Sequence, residues 1–270
     1  MKIIELESRD NWKIKNLSKL KLKKYRHKEG KFMVENWKII QSASAENIYF
    51  SEIFVTKNFL ARNKDKLEEI FGKEEERFLF LVSEKLIRQI SSLKNPEGVL
   101  AVYRSEDSKL DLKGDVVYLD SISDPGNLGT ILRSALAFGF EEVVLSEECV
   151  DIYNPKVIQA AKDAIFKLKL VFDSRQEVLG KIKKAGLKIL VTDVQSGEEL
   201  EVGLRGNDKV CLILGNESQG VSEELLSQAD AKVNIKTTNK IESLNVAVGA
   251  GILFDRIFSF RRGCKRAGER

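Results

Sequence analysis

From Asp115 onward, apolar runs of strand length alternate with amphipathic stretches of helical length. Val116-Val117-Tyr118-Leu119, Val143-Val144-Leu145, Leu168 to Phe172, Leu187 to Val191, Val210 to Leu214 and Ala231 to Ile235 read as strands. Between and after them, the periodicity predicts helices over Leu128 to Phe138, Pro155 to Ala164, Glu177 to Lys184 and Leu244 to Phe258. A further helix opens at Ser222, where Glu223 and Glu224 suit a positive helix start. Apolar strands alternating with helices mean a parallel sheet covered on both faces, an α/β fold.

The first part of the chain reads as a smaller α/β unit. Trp12, Ile14, Leu17 and Leu20 recur at helical spacing among lysines, which predicts a basic amphipathic helix with those four facing inward. Phe32 to Val34, Ile53 to Val55, Phe78 to Val82 and Val99 to Tyr103 read as strands, and Trp37 to Ser44 and the stretch from Ser83 as helices. A polar, charged stretch at 106–114 reads as a linker, which divides the chain into domains 1–105 and 115–270.

Composition narrows the chemistry. At 270 residues, with 43% hydrophobic and 32% charged residues, the chain has room for two cores. No apolar run reaches the roughly 20 residues of a membrane span, and the opening residues lack the apolar core of an export signal. Cys149, Cys211 and Cys264 are odd in number and far apart, which fits a reducing cytoplasm better than a disulfide framework or a zinc site. His27 is the only histidine. A Ser-His-Asp hydrolase and a histidine-rich metal site are therefore disfavoured. The net charge of +4 is unevenly spread, with Lys21, Lys23, Lys24, Arg26, Lys28 and Lys31 crowded around one acid, Glu29. Such a cluster suits a polyanion such as a nucleic acid, and these six residues are its expected contacts.

Three segments place small polar residues just past an apolar run: Asp124-Pro125-Gly126-Asn127-Leu128-Gly129 with Arg133, Leu214-Gly215-Asn216-Glu217-Ser218-Gln219-Gly220, and Glu242-Ser243-Leu244-Asn245-Val246-Ala247. Loops at the carboxyl ends of parallel strands converge on the ligand crevice, so the three point to one site. Gly215 to Gly220 has the glycine spacing of a P-loop, but Val221 stands where the phosphate-binding lysine must be. Gly249-Ala250-Gly251 lies within a helical pattern and has Phe254 at the third glycine position, so it is a weak dinucleotide fingerprint.

In order and content the three segments resemble the motifs of the SpoU (TrmH-type) RNA ribose 2′-O-methyltransferases of the SPOUT superfamily. The resemblance implies a C-terminal parallel-sheet SPOUT domain with a deep trefoil knot, preceded by a small L30e-like RNA-binding domain. The second expectation rests on two looser matches, Lys24 to Glu35 and Lys94 to Val102. S-adenosyl-L-methionine is the implied cofactor, bound by Leu214, Gly215, Asn216, Gly220, Ile235, Ser243 and Leu244, with Thr192 a weaker candidate. Arg133, Asn127, Glu217, Ser243 and Asn245 are the implied catalytic residues. Arg133 would act as base or phosphate clamp, Asn127 would orient Arg133 or the ribose, Glu217 would fix the loop or Arg133, and Ser243 and Asn245 would hydrogen-bond the substrate side or shape the pocket.

The implied activity is methylation of a ribose 2′-hydroxyl in structured RNA, with 23S ribosomal RNA favoured by the two-domain plan. A tRNA methyltransferase and a catalytically weakened RNA-binding or ribosome-assembly factor are the alternatives, and a homodimer is implied. The sequence departs from the family pattern at Asn36, in Ala160 to Phe166 (where Asp163 replaces a glycine), at Lys236-Thr237-Thr238-Asn239, and at Ala247.

Overall fold

The computed structural model describes residues 2–72, 78–106, 108–172, 175–194, 196–200, 204, 208–238 and 240–268, with backbone alone for 175–176, 199 and 263–268. Contacts divide the chain into two compact units, Met1–Glu106 with Tyr153–Gln159, and Asp107–Ile152 with Ala160–Arg270.

The first unit carries β1 (Lys2–Leu6), α1 (Trp12–Lys19), α2 (Lys23–Glu29), β2 (Lys31–Val34), α3 (Trp37–Ala45), β3 (Glu52–Val55), α4 (Lys57–Phe71), β4 (Phe78–Val82), α5 (Glu84–Ile90) and β5 (Val99–Arg104). Its sheet runs β1-β4-β3-β5-β2, parallel from β1 to β3 and antiparallel through β5 and β2. Asn11, Asn36, Thr56 and Ser83 each cap a helix through a side-chain oxygen, as residues of these types do best. The core gathers Ile14, Leu17 and Leu20 against Phe54, Phe80, Leu86 and Leu100. Trp12 does not join them: it is 64% exposed at the first turn of α1, with the Lys13 ammonium 4.7 Å from its ring. Helical spacing alone put it on the wrong face.

Two carboxylates explain the looser N-terminal matches. Glu35 is buried and accepts from the Ser91 hydroxyl and from the Ser92 N–H at 2.8 Å. Glu97 accepts from the Asn36 amide and the Trp37 N–H, both at 3.2 Å. Gly98 has φ +91°, and a Cβ there would stand 2.7 Å from the Thr56 hydroxyl. Only glycine fits such a crossing.

The second unit carries β6 (Val116–Leu119), α6 (Pro125–Ala137), β7 (Glu142–Leu145), α8 (Ala164–Lys167), β8 (Lys169–Phe172), α9 (Arg175–Lys184), β9 (Lys188–Thr192), β10 (Glu198–Glu199), β11 (Val210–Leu214), α10 (Glu223–Leu226), β12 (Ala231–Asn234) and α11 (Val246–Gly268). Helix α7 (Pro155–Ala161) precedes α8, and the expected single helix breaks between them where Lys162 takes φ +56°. The sheet is β10-β12-β9-β11-β6-β7-β8, all parallel. Strands β6, β7 and β11 are buried along their whole length, as a sheet covered on both faces requires. The segment expected to be a linker is tied down: Glu142, itself buried, accepts from the N–H groups of Asp111 and Leu112 at 2.8 Å.

Candidate active site

The carboxyl ends of β6, β9, β11 and β12 lie next to one another in the parallel sheet, so the segments that follow them share one end of the second unit. After β6, Asp124 caps α6 by accepting from the Asn127 N–H at 2.7 Å, with Pro125 in the first turn. Asn127 therefore sits at the mouth of a helix N-terminus. Its side-chain amide donates to Glu217 Oε1 at 2.6 Å, and its carbonyl oxygen accepts from the Asn245 amide at 2.9 Å. The Asn245 carbonyl oxygen in turn accepts from the N–H groups of Ala247 (3.0 Å) and Val248 (3.3 Å), capping α11. One hydrogen-bonded chain, Glu217–Asn127–Asn245, thus joins all three motif segments.

The middle segment is a tight loop. The Asn216 N–H donates to the Gly220 carbonyl and the Gly220 N–H to the Asn216 carbonyl, both at 2.9 Å. The Asn216 side chain accepts from Ser218 N–H (2.9 Å) and Gln219 N–H (3.2 Å) and donates to the Ser121 carbonyl at 2.8 Å. Gly220 closes the turn at φ +71°. A Cβ on Gly215 would lie 2.3 Å from the Gly220 carbonyl carbon, so the loop closes onto bare backbone. Leu214 is buried, and its carbonyl accepts from the Asp120 N–H at 2.8 Å.

The other expected cofactor residues surround this loop unevenly. Thr192 donates its hydroxyl to the Ile213 carbonyl at 3.1 Å, which ties β9 to β11. Ile235 is half-buried, with its Cδ1 3.7 Å from where a Cβ on Gly249 of α11 would stand. Leu244 is half-buried and Ser243 exposed. Ser243 makes no hydrogen bond among the described residues, so it stands apart from the chain of three.

Arg133 is exposed on α6, six residues and about 9 Å of helical rise beyond Asn127. Six residues also turn the helix through some 240°, so the two side chains leave different faces. Among the described residues Arg133 has no hydrogen-bond or ion-pair partner. Of the roles expected for Asn127 and Glu217, a hydrogen bond to Arg133 is not made; the two pair with each other. Its guanidinium donors are open to solvent.

In the first unit, Lys23, Lys24 and Lys28 are exposed along α2, and Lys31 is half-buried. Two of the expected RNA contacts are spent on the protein. The Lys21 ammonium donates to the carbonyls of Gln89 (2.9 Å) and Ser91 (2.8 Å) at the end of α5. Arg26 is 5% exposed and donates to the carbonyls of Leu20 (2.8 Å) and Lys21 (2.7 Å). Charge counting cannot tell a cation turned outward from one that closes a helix end.

Asp120 and Ser121 escaped the sequence reading, although they are polar residues directly past the apolar run of β6. Asp120 is 2% exposed and accepts from the Ser222 N–H at 2.9 Å.

With this geometry in view, residues 115–255 match the model of the SpoU rRNA methylase family. The chain belongs to the SpoU rRNA methylase family. Residues 11–101 match the MRM3-like substrate binding domain. The SpoU chain is 30% identical over 249 residues to the 23S rRNA (guanosine(2553)-2′-O)-methyltransferase RlmP of Bacillus subtilis, covering 92% of this chain and 97% of that one. It is similar to the crystal structure of an RNA 2′-O ribose methyltransferase, with a TM-score of 0.77 and 28% identity over 96% of this chain and 99% of the other. An AdoMet-bound rRNA methyltransferase from Sinorhizobium meliloti shares the fold, with a TM-score of 0.85 at 24% identity over 97% and 98% of the two chains. In this SpoU member the departure at Asp163 is balanced locally, by an ion pair with Lys167 at 3.2 Å.

Proposed function

We propose that the protein methylates a ribose 2′-hydroxyl of ribosomal RNA, 23S first, using S-adenosylmethionine. The observation that carries this reading is the Glu217–Asn127–Asn245 hydrogen-bonded chain in a member of the SpoU family. The residues present fit the cofactor. The loop from Leu214 to Gly220 contains one charged side chain, Glu217, and no lysine or arginine, which suits a sulfonium cation and not a triphosphate. Backbone groups at the ends of β9 and β11, with half-buried Ile235 and Leu244 beside α11, suit an adenosine. Leu214, Gly215, Asn216, Gly220, Ile235 and Leu244 would hold it.

When bound, S-adenosylmethionine supplies an electrophilic methyl group. The protein's task is to hold the 2′-oxygen in line and ease loss of its proton, and positioning alone can supply several kcal/mol. A guanidinium offers hydrogen-bond donors and no acceptor, so the part of Arg133 is to clamp a phosphate or steady the developing alkoxide. Glu217 is the sole acid among the five expected catalytic residues, and its Oε2 is left for the hydroxyl proton once Oε1 is held by Asn127. Asn245 locks Asn127 from the other side.

The same reading includes a trefoil knot, a homodimer and a cytoplasmic setting. For the knot, the support is the sheet order, in which β11 enters between β9 and β6 and β12 then lies outside β9. For the dimer, it is an open groove of ≈ 540 Å³ between α6 and α11, lined by Thr130, Phe138, Val248, Gly251 and Ile252. For the setting, it is the free, buried thiols of Cys149 and Cys211. No helix among the described residues is long and apolar enough to cross a membrane. Domain 1–105 serves RNA binding, and 115–270 the transfer.

The test is transfer of a labelled methyl group to ribosomal RNA from a strain lacking the gene, with mapping of the ribose modified. Arg133→Ala should abolish transfer while calorimetry still registers cofactor binding. No transfer to any RNA, with no heat of cofactor binding, overturns the reading.

A further inference from the structure

We propose that Asp120 and Ser121 are positioning residues, setting where the 215–220 loop presents Glu217 to Asn127. The proposal rests on the function just given and adds residues to that site. Three hydrogen bonds bind the loop at both ends to this dipeptide. Ahead of the loop, the Asp120 N–H donates to the Leu214 carbonyl at 2.8 Å. At its start, the Asn216 amide donates to the Ser121 carbonyl at 2.8 Å. Behind it, the Ser222 N–H donates to Asp120 Oδ2 at 2.9 Å. The dipeptide is itself held firmly. Asp120 is buried, and the Ser121 N–H donates to the Ser146 hydroxyl at 3.0 Å.

Ser121 takes φ +60°, a conformation that a residue with a side chain adopts only at a cost. That turn aims its carbonyl at Asn216, and such strain persists only where neighbouring contacts over-determine it. Glu217 is exposed, and among the described residues the bond to Asn127 is its single hydrogen bond. Its position is therefore inherited from the loop, and the loop's from the end of β6. A buried carboxylate that accepts a backbone N–H is a stiff anchor, because a buried acceptor that loses one of its bonds is costly; the Ser121 hydroxyl also donates to Asp120 Oδ1, at 3.3 Å.

The test measures methyl transfer and thermal unfolding on the full chain. Asp120→Ala should lower kcat tenfold or more, and Asp120→Asn, which can still accept from Ser222, should restore most of it. Asn216→Asp keeps the two accepted N–H groups but turns a carboxylate toward the Ser121 carbonyl, and should also cost about tenfold. In a Glu217→Gln background each change should add less than twofold, since the residue being positioned is already altered. Asp120→Ala at the wild-type rate overturns the proposal, as does a full tenfold loss in the Glu217→Gln background. If Asp120→Ala does not unfold cooperatively, Asn216→Asp decides by the same two criteria. A wild-type chain that transfers no methyl group instead overturns the functional reading, and is seen before any variant is made.

Discussion

Asn127 and Asn245 stand 118 positions apart in the chain and 2.9 Å apart across one hydrogen bond, with the Asn245 amide as donor. Asn245 does two jobs with two atoms, since its carbonyl oxygen caps α11 while its amide holds Asn127. The jobs can be separated. Asn245→Asp keeps the cap, and a negative charge at a helix N-terminus is favourable by a few tenths of a kcal/mol, but it faces the Asn127 carbonyl oxygen with a second acceptor. Asn245→Ala loses both, with about 1 kcal/mol of stability going with the cap. The expected outcome is transfer reduced at least tenfold in both variants, with the melting temperature lowered only in Asn245→Ala.

Gly215 admits no side chain. A methyl group 2.3 Å from the Gly220 carbonyl carbon forces the loop open. Gly215→Ala should cost about 2 kcal/mol in chemical unfolding, in the range of other overpacked sites. It should also abolish the calorimetric signal of S-adenosylhomocysteine. A variant with normal stability and normal binding would show that the loop closes another way.

The basic cluster divides by direction. Lys23, Lys24 and Lys28 point to solvent, whereas the Arg26 guanidinium is buried on two carbonyls. Replacing the three lysines with glutamine should weaken RNA binding and reduce the slope of log affinity against log salt by up to about 2–3, leaving the melting temperature unchanged. Arg26→Ala should do the reverse, lowering stability by about 2 kcal/mol through two lost charged hydrogen bonds and leaving the salt slope alone.

The Asp111 carboxyl is held below its ordinary 3.8, first by the hydrogen bond from Lys169 and then by the charges of Lys113 and Lys169. A lowered carboxylate stabilises the fold above its ordinary pKa and loses that contribution as pH falls through the lowered value. The tie between segment 108–114 and β8 is thus intact at neutral pH and released only under acid. An NMR titration should place the Asp111 midpoint below 3.8 and raise it toward that value in Lys169→Met, with Lys113 still lowering it; equal midpoints would contradict the pairing.

The inner strands were legible because β6 and β11 are unbroken apolar runs and β7 carries three apolar residues after Glu142. Helix α4 was not, because Asn63 leaves helical geometry between Phe59 and Leu67 and breaks the period on which the reading relies. Nor was α2, whose buried member is an arginine. At the candidate site, Asn127, Glu217 and Asn245 come together as the motif order suggested, since each follows an apolar strand or opens a helix. Which of them bond to one another was not readable, and neither was the separation of Arg133 and Ser243. Polar partners are chosen by angles of a few degrees, and spacing along a chain does not encode them.

The place of β11, between β9 and β6, has a consequence for synthesis. Both flanking strands leave the ribosome first, and each must wait with an unpaired inner border until residues 210–214 emerge. A nascent chain stopped before Val210 would leave the inner edge of β6 and both edges of β9 open, each a template for a neighbouring chain. Early termination in this protein should therefore yield aggregates instead of a smaller soluble fragment.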